Sequence, residues 1–344
     1  MGRFVDGILV EYGDDLFEPP YRSPRKPKNP KQFWKLFPIR GVAANNIRNH
    51  IKAVTARTPE VMVKITNKKD AGKGMERISA HLDYISRNGK EEIEDCNDCI
   101  YKGKAELETF KSFFGSDIPD KSHRKEAFNI IFSMPKGTNT KALKESVKDF
   151  IKEEFENNDY VFVLHTDTEN PHVHVCVNAN PKTGRKKLNP RKNDISRWRV
   201  GFAERLRSRG IAANATTRKV RGEIKKNVPQ NIYNSSKRKS NKYKKPQSYY
   251  IKEYYKKKFL KKRGGNINYY GNNKKEYAKK LYESNITQIN AWNKITNGLL
   301  KSDIKSDKKL SNEVNEFINN SQLINTIKSY NPILVKSDKN IIKR

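Results

Sequence analysis

With only 3 cysteines, the sequence excludes a disulfide scaffold and suits a reducing compartment. It lacks any run of about 18 apolar residues, so no membrane-spanning helix is expected. Apolar residues are scarce, at 35%, which is below the usual range of a globular domain. One real core with sparsely packed flanks is therefore expected. Acidic charge is scarce too: 38 Asp and Glu stand against 72 Lys and Arg, a net charge of +34. That balance excludes the surface of an ordinary metabolic enzyme. It points to a polyanionic partner, nucleic acid before anionic membrane. No Gly-Lys-Ser/Thr phosphate loop occurs, so an ATP-driven helicase is not indicated. The N-terminus, MGRFVDGILVEYGDD, turns acidic where an export leader would be apolar, so export by that route is not expected.

The charge that is present is uneven. Residues 226–344 hold 28 basic and 8 acidic side chains, a net +20, against 44 and 30, a net +14, for residues 1–225. The same C-terminal stretch holds 11 of the 16 tyrosines. The first 60 residues contain Pro19, Pro20, Pro24, Pro27 and Pro30 among Arg and Lys, which keeps a backbone extended and solvated. The expected division is a basic Pro/Lys-rich arm over 1–60, a folded domain over 61–225, and a Lys/Asn/Tyr-rich basic region over 226–344. Arm and tail are both expected to be poorly ordered.

Hydrophobic periodicity places the elements of the middle segment. Val61–Thr66 alternates like a strand. Glu76–Arg87 reads as a helix with Ile78, Leu82 and Ile85 on one stripe, closed by Asn88 and Gly89. Ala127–Ser133 reads as a strand with Phe128, Ile130 and Phe132 inward. Lys141–Phe155 is helical, burying Leu143, Val147, Phe150, Ile151 and Phe155. Two strands follow, Tyr160–Asp167 and His172–Asn178. A last helix, Ile195–Ser208, has Asp194 as N-cap and Gly210 beyond its end. This order implies an α+β fold: a central antiparallel sheet with flanking helices.

The two late strands form the informative segment, HTDTENPHVHVCVN. With the tightest register, Asp167 faces His172 and His165 faces His174. Alternation then gathers His165, Asp167, His172, His174, Cys176 and Asn178 on one face. Imidazole is a common metal ligand, and three with an open position build catalytic sites. Asp167 or Asn178 could accept the second ring proton and fix a tautomer. Three neutral nitrogens suit Zn, Mn, Fe or Ni better than Mg. Spacing alone does not choose the metal, and one histidine could instead be a general base.

A metal beside a basic surface suggests a phosphodiester substrate, whose cleavage needs a nucleophile. Tyr84, in HLDYISRNGK, lies off the core stripe of its helix and shares a face with Arg77, His81 and Asn88. A phenol there is available to a ligand, and needs a metal or basic neighbours for activation.

These two segments resemble motifs I and III of the MobA/VirD-type (MOB-P) relaxases, members of the HUH endonuclease superfamily. FNIIFSMPKGT and GIAANATTRKVRGE add to the likeness, which covers roughly residues 60–222. The resemblance implies an HUH fold and metal-dependent nicking at an origin of transfer. Tyr84 would be the nucleophile, leaving a 5′-phosphotyrosyl link and a free 3′-OH. His165, His172 and His174 would hold a divalent ion, Mg²⁺ or Mn²⁺ by the family's habit, with Zn²⁺ left open. Asp167 matches the acidic position as base or orienter, and Asn178 lies behind the ligands. Arg77, Arg87, Arg197, Arg199 and Arg205 are the candidate DNA contacts. Conjugative or mobilisation transfer would imply origin DNA, auxiliary mobilisation proteins and a type IV secretion coupling protein as partners. It would also imply a bacterial cytoplasmic location, with passage through that secretion system.

Two other functions are weighed against this one. A rolling-circle replication initiator of the same superfamily would do the same chemistry, but it places its tyrosine helix after the histidine strand. A non-catalytic DNA-binding protein would have a degenerate site, whereas both motifs are intact here. Cys96 and Cys99 form a lone C-x-x-C, a weak signal for a structural zinc shared with histidines. The run YYIKEYYKKKFLKKRGG mixes aromatics with lysines, as single-strand stacking surfaces do.

Overall fold

The computed structural model describes residues 2–17, 40–67, 74–184, 186–223 and 272–324. In chain order its elements are α1 (Gly2–Phe17), α2 (Arg40–Thr55), β1 (Met62–Ile65), α3 (Met75–Ile85), β2 (Ile93–Asp95), β3 (Ile100–Tyr101) and α4 (Lys104–Phe114). These continue as β4 (Ala127–Ser133), α5 (Thr140–Glu154), β5 (Asn158–His165), β6 (His172–Pro181), α6 (Lys192–Ser208), α7 (Asn272–Leu300) and α8 (Lys305–Asn319). They fall into two units, Thr58–Ala215 and Met1–Arg57 with Thr216–Arg344.

The unit Thr58–Ala215 is built on a six-stranded sheet in the order β1-β4-β6-β5-β2-β3, with antiparallel pairings throughout. The alternation of apolar residues on β4, β5 and β6 gives the sheet two apolar faces. Phe128, Ile130, Phe132, Phe162, Val173, Val175 and Val177 point to one face. There they meet Leu143, Val147, Phe150 and Ile151 of α5 and Trp198, Phe202 and Leu206 of α6. Ala127, Val161, Val163 and Cys176 point to the other face, against Ile78, Leu82 and Ile85 of α3 and Leu107, Phe110 and Phe114 of α4. The α+β architecture of antiparallel sheet and flanking helices is therefore present.

Helix ends follow local chemistry. The Asn139 side chain accepts from the Ala142 amide and caps α5. Asp194 lies inside the first turn of α6 rather than at its N-cap, where its carboxylate accepts from the Arg191 amide at 2.7 Å. Gly210 has φ 75°, a left-handed turn that glycine adopts without a Cβ clash, just past α6.

The hairpin register differs from the tightest one. His165 pairs with His172, and His174 pairs with Val163. The connection is thus longer, and Asp167 lies in it rather than on the ladder. Ser133 Oγ and the Met134 amide donate to the Pro171 carbonyl, at 3.0 and 3.3 Å, and the Lys136 amide donates to Asn170 Oδ1 at 3.2 Å. These bonds tie the connection to the end of β4, which a two-strand reading could not foresee.

The second unit is helical and joins residues from both ends of the chain. Val5 and Leu9 of α1, Ile51 and Val54 of α2, Trp292, Ile295 and Leu299 of α7, and Leu310 and Val314 of α8 form one buried cluster. Arg48 gives a two-pronged ion pair to Asp307, at 2.8 and 2.9 Å, and meets Asp6 at 2.8 Å. The apolar stripes come from opposite ends of the chain, so neither end shows a core by itself. The Pro-rich segment after residue 17 and the lysine–tyrosine run 249–265 lie outside the described residues.

Candidate active site

His165 ends β5, and His172 and His174 open the central strand β6. All three point to the α3 side of the sheet, beside Val163 and Cys176. Their ring centroids are 5.3 Å (His165–His172), 4.7 Å (His165–His174) and 4.9 Å (His172–His174) apart. One ligand nitrogen from each lies within 4.8 Å of the others.

The hydrogen-bond partners set which ring nitrogen carries the proton of a neutral imidazole. His165 Nε2 lies 2.7 Å from the Ile85 carbonyl, which can only accept, so Nε2 carries the proton and Nδ1 keeps a lone pair. His172 Nδ1 donates to the Asn170 carbonyl at 3.1 Å, so Nε2 is the ring nitrogen left for a ligand. Burial pushes the His174 pKa down to about 3, helped by the neighbouring His165, His172, His81 and Arg87. Burial also lowers His165. Neutral imidazoles with orienting outer hydrogen bonds are what a cation-binding histidine cluster requires. The donor set fits a divalent ion.

Helix α3 brings Tyr84 to this cluster. Its apolar stripe Ile78, Leu82 and Ile85 packs on the sheet, and Tyr84 projects from its flank at 58% exposure. The phenol ring stands edge-on to His174, with centroids 6.1 Å apart. His81, one turn earlier, stacks on Tyr84 at 6.3 Å. Burial, then the charge of Arg77, pushes His81 down to about 4, and its Nε2 is buried without a hydrogen-bond partner among the described residues. Beyond the helix, Arg87, Asn88 and Gly89 have φ of 54°, 58° and 82°. Left-handed geometry at a non-glycine residue costs about 1–3 kcal/mol and clusters at functional sites. The turn sends the Arg87 guanidinium back over the Tyr84 ring, 5.6 Å from its centroid, and into an ion pair with Asp167.

The other residues singled out in the sequence divide sharply. Tyr84, His165, His172 and His174 come together, with Arg87 and Asp167 beside them and Arg77 near His81. Asn178 does not serve the ring protons. Its Oδ1 accepts from the Asn180 amide at 2.9 Å, and its place against the histidines is taken by the carbonyls of Ile85 and Asn170. Arg197, Arg199 and Arg205 lie on α6, which packs on the opposite sheet face. Arg197 pairs with Glu154, Arg205 with Glu153, and Arg199 donates to the Val63 carbonyl at 3.4 Å. Backbone acceptors leave no mark in a motif, which is why Ile85 and Asn170 were missed. His81 was visible only as a neighbour on the tyrosine's face.

Two other tyrosines of this unit are unsuited to attack. Tyr160 is 4% exposed on the α5 side of the sheet, and burial pushes its phenol up to about 12. Tyr101 donates to Asp95 at 3.1 Å and is pushed up to about 12 by burial and that carboxylate. Cys96 lies by Asp159 and Lys182, and Cys99 is exposed. Among the described residues these cysteines join no metal-binding group.

Comparison with known proteins bears on the same span. Residues 84–211, from Tyr84 through α6, match the family described as Relaxase: MobA/VirD2-like, nuclease domain. The T-DNA border endonuclease VirD2 of Rhizobium rhizogenes is 26% identical over 171 residues, covering 44% of this chain and 39% of that protein. The T-DNA border endonuclease VirD2 of Agrobacterium fabrum (strain C58 / ATCC 33970) is 26% identical over 171 residues, covering 44% of this chain and 38% of that protein. The chain thus spans well under half the length of these relatives. Over residues 84–211 this chain is therefore similar to the MobA/VirD2-like relaxase nuclease domain, and that span holds the histidine hairpin and Tyr84.

Proposed function

We propose that this protein nicks one DNA strand at an origin of transfer, as the relaxase of a conjugative or mobilisable element. The observation that carries the reading is the exposed Tyr84 ring edge-on to His174 within a cluster of three histidines. The Tyr84 oxygen attacks the scissile phosphorus, forming a P–O(tyrosyl) bond and breaking the P–O3′ bond. The 5′ end stays on the protein and the 3′ oxygen leaves, gaining the proton that the phenol gives up. His165, His172 and His174 would hold the divalent ion, Mg²⁺ or Mn²⁺, with Zn²⁺ left open. Such an ion polarises a phosphoryl oxygen and stabilises charge that develops on it. Arg77 lies on the tyrosine side and suits phosphate contact.

The replication-initiator reading is disfavoured because the helix that supplies the tyrosine precedes the histidine strands. Among the described residues no helix is long and apolar enough to cross a membrane. Origin DNA, auxiliary mobilisation proteins and a secretion coupling protein are the partners this function requires, and the bacterial cytoplasm is where it would act before passage with the DNA. The test is incubation with supercoiled plasmid bearing the element's origin and Mg²⁺ or Mn²⁺, followed by protease-sensitive detection of nicked circles. Wild type should give protein-linked nicked DNA, and Tyr84→Phe should give none while still binding DNA. An undiminished adduct with Tyr84→Phe refutes the assignment.

A further inference from the structure

Asp167 occupies the acidic position of the histidine motif, where chemistry suggests a base. The structure gives its carboxylate another partner. It lies on the Arg87 guanidinium, while the bonded ring nitrogens of His165 and His172 go to backbone carbonyls. The same guanidinium covers the Tyr84 ring. Arg87 reaches this place only through a left-handed backbone, φ 54°, which a residue with a Cβ rarely adopts. The turn is locked from behind. The Gly103 amide donates to the Gly89 carbonyl at 2.9 Å, and a Cβ at Gly89 would lie 2.6 Å from the Gly103 carbonyl carbon. Three separate features therefore converge on one side chain: an unfavourable backbone, an anchoring carboxylate and a ring contact on the candidate nucleophile.

We propose that Arg87 is a positioning residue for Tyr84, and that Asp167 is the anchor that holds Arg87 in place rather than the proton acceptor. The guanidinium bears on a ring face while His174 meets the ring at 88°. Together they restrict the direction of the phenol oxygen. Orientation of a reacting group by a neighbour is worth much in rate, since a displacement of about 1 Å can cost about 100-fold. The proposal rests on Tyr84 being the nucleophile.

The test uses full-length protein, Mn²⁺ and an oligonucleotide carrying the nick site mapped with wild type. Arg87→Gln and Asp167→Asn should each slow the maximal single-turnover rate by about 10–100-fold. The double variant should be no slower than the slower single one, because both substitutions break one unit. The DNA concentration for half-maximal rate and the calorimetric affinity for Mn²⁺ should not move. The pH–rate profile of Asp167→Asn should keep its shape. Arg87→Asn, which tolerates the left-handed backbone, should retain the wild-type melting temperature and still be slow.

Multiplicative losses in the double variant would overturn the proposal. So would Asp167→Asn removing one limb of the pH profile, which would make Asp167 the base. Normal cleavage by Arg87→Asn would also overturn it. A wild type that forms no adduct, or a Tyr84→Phe that forms one normally, instead refutes the underlying assignment of the nucleophile.

Discussion

Lowering the pH in the presence of chelator should destabilise the nuclease unit through its buried histidines, His174 foremost. The His174 ring is 5% exposed, and its pKa is pushed down to about 3 by burial and then by positive neighbours. In an unfolded chain a histidine titrates near 6.5. Below about pH 6.5 the unfolded chain therefore takes up a proton that the folded protein refuses. Stability falls with pH from there until about pH 3, with a limiting slope of about 1.4 kcal/mol per pH unit. Between pH 6.5 and 4.5 the loss is roughly 2 kcal/mol, against a typical domain stability of about 5–15 kcal/mol. Trp198, 1% exposed in the core beside α5, can report unfolding of this unit once Trp34 and Trp292 are replaced by phenylalanine. Urea titrations of this background should be compared with the same protein carrying His174→Leu. Paired carboxylates such as Glu94, held below their ordinary range despite burial by Lys144 and Lys148, lose stability with falling pH in both proteins. The difference in slope isolates His174. Parallel stability–pH curves for the two proteins would show that the ring is not held neutral by the fold.

Further outcomes follow from the same geometry. Mn²⁺ should raise the unfolding midpoint of wild type at pH 7.5 and leave that of His172→Ala unchanged, as read by calorimetry with and without the ion. Asn178→Ala should cost about 1–3 kcal/mol of stability through the part-buried hydrogen bond it removes and keep wild-type Mn²⁺ affinity, because its side chain serves the Asn180 amide. Arg205→Ala should change DNA affinity little and stability by less than about 1 kcal/mol, since it makes a surface ion pair with Glu153 behind the sheet. A 58–215 fragment should still cleave a single-stranded site. Its binding to single strands should depend less steeply on salt, by about 0.7 in slope for each phosphate that the removed lysines neutralise in the full chain. A 1–225 fragment should aggregate more readily, because it bares Leu9 and Ile51 without the α7 and α8 residues that cover them.

The sequence by itself determined which residue types could do chemistry and the face on which the histidines fall. Strand alternation does not depend on register, so His172 and His174 share a face however the hairpin pairs. The stripe of Ile78, Leu82 and Ile85 likewise leaves Tyr84 off the core whatever it packs against. Tertiary structure decided what these faces meet. Only the packing of α3 on the sheet puts Tyr84 against His174 and the Ile85 carbonyl against His165. Only the longer connection frees Asp167 from the ladder to reach Arg87. Only the placement of α6 behind the sheet takes Arg197, Arg199 and Arg205 away from the site. The helical unit was hidden for a related reason. Its core residues lie hundreds of positions apart, and burial between distant segments leaves no periodic signal that joins them. Periodicity reports the face a segment turns inward; the partner of that face is fixed by contacts that are non-local in the chain.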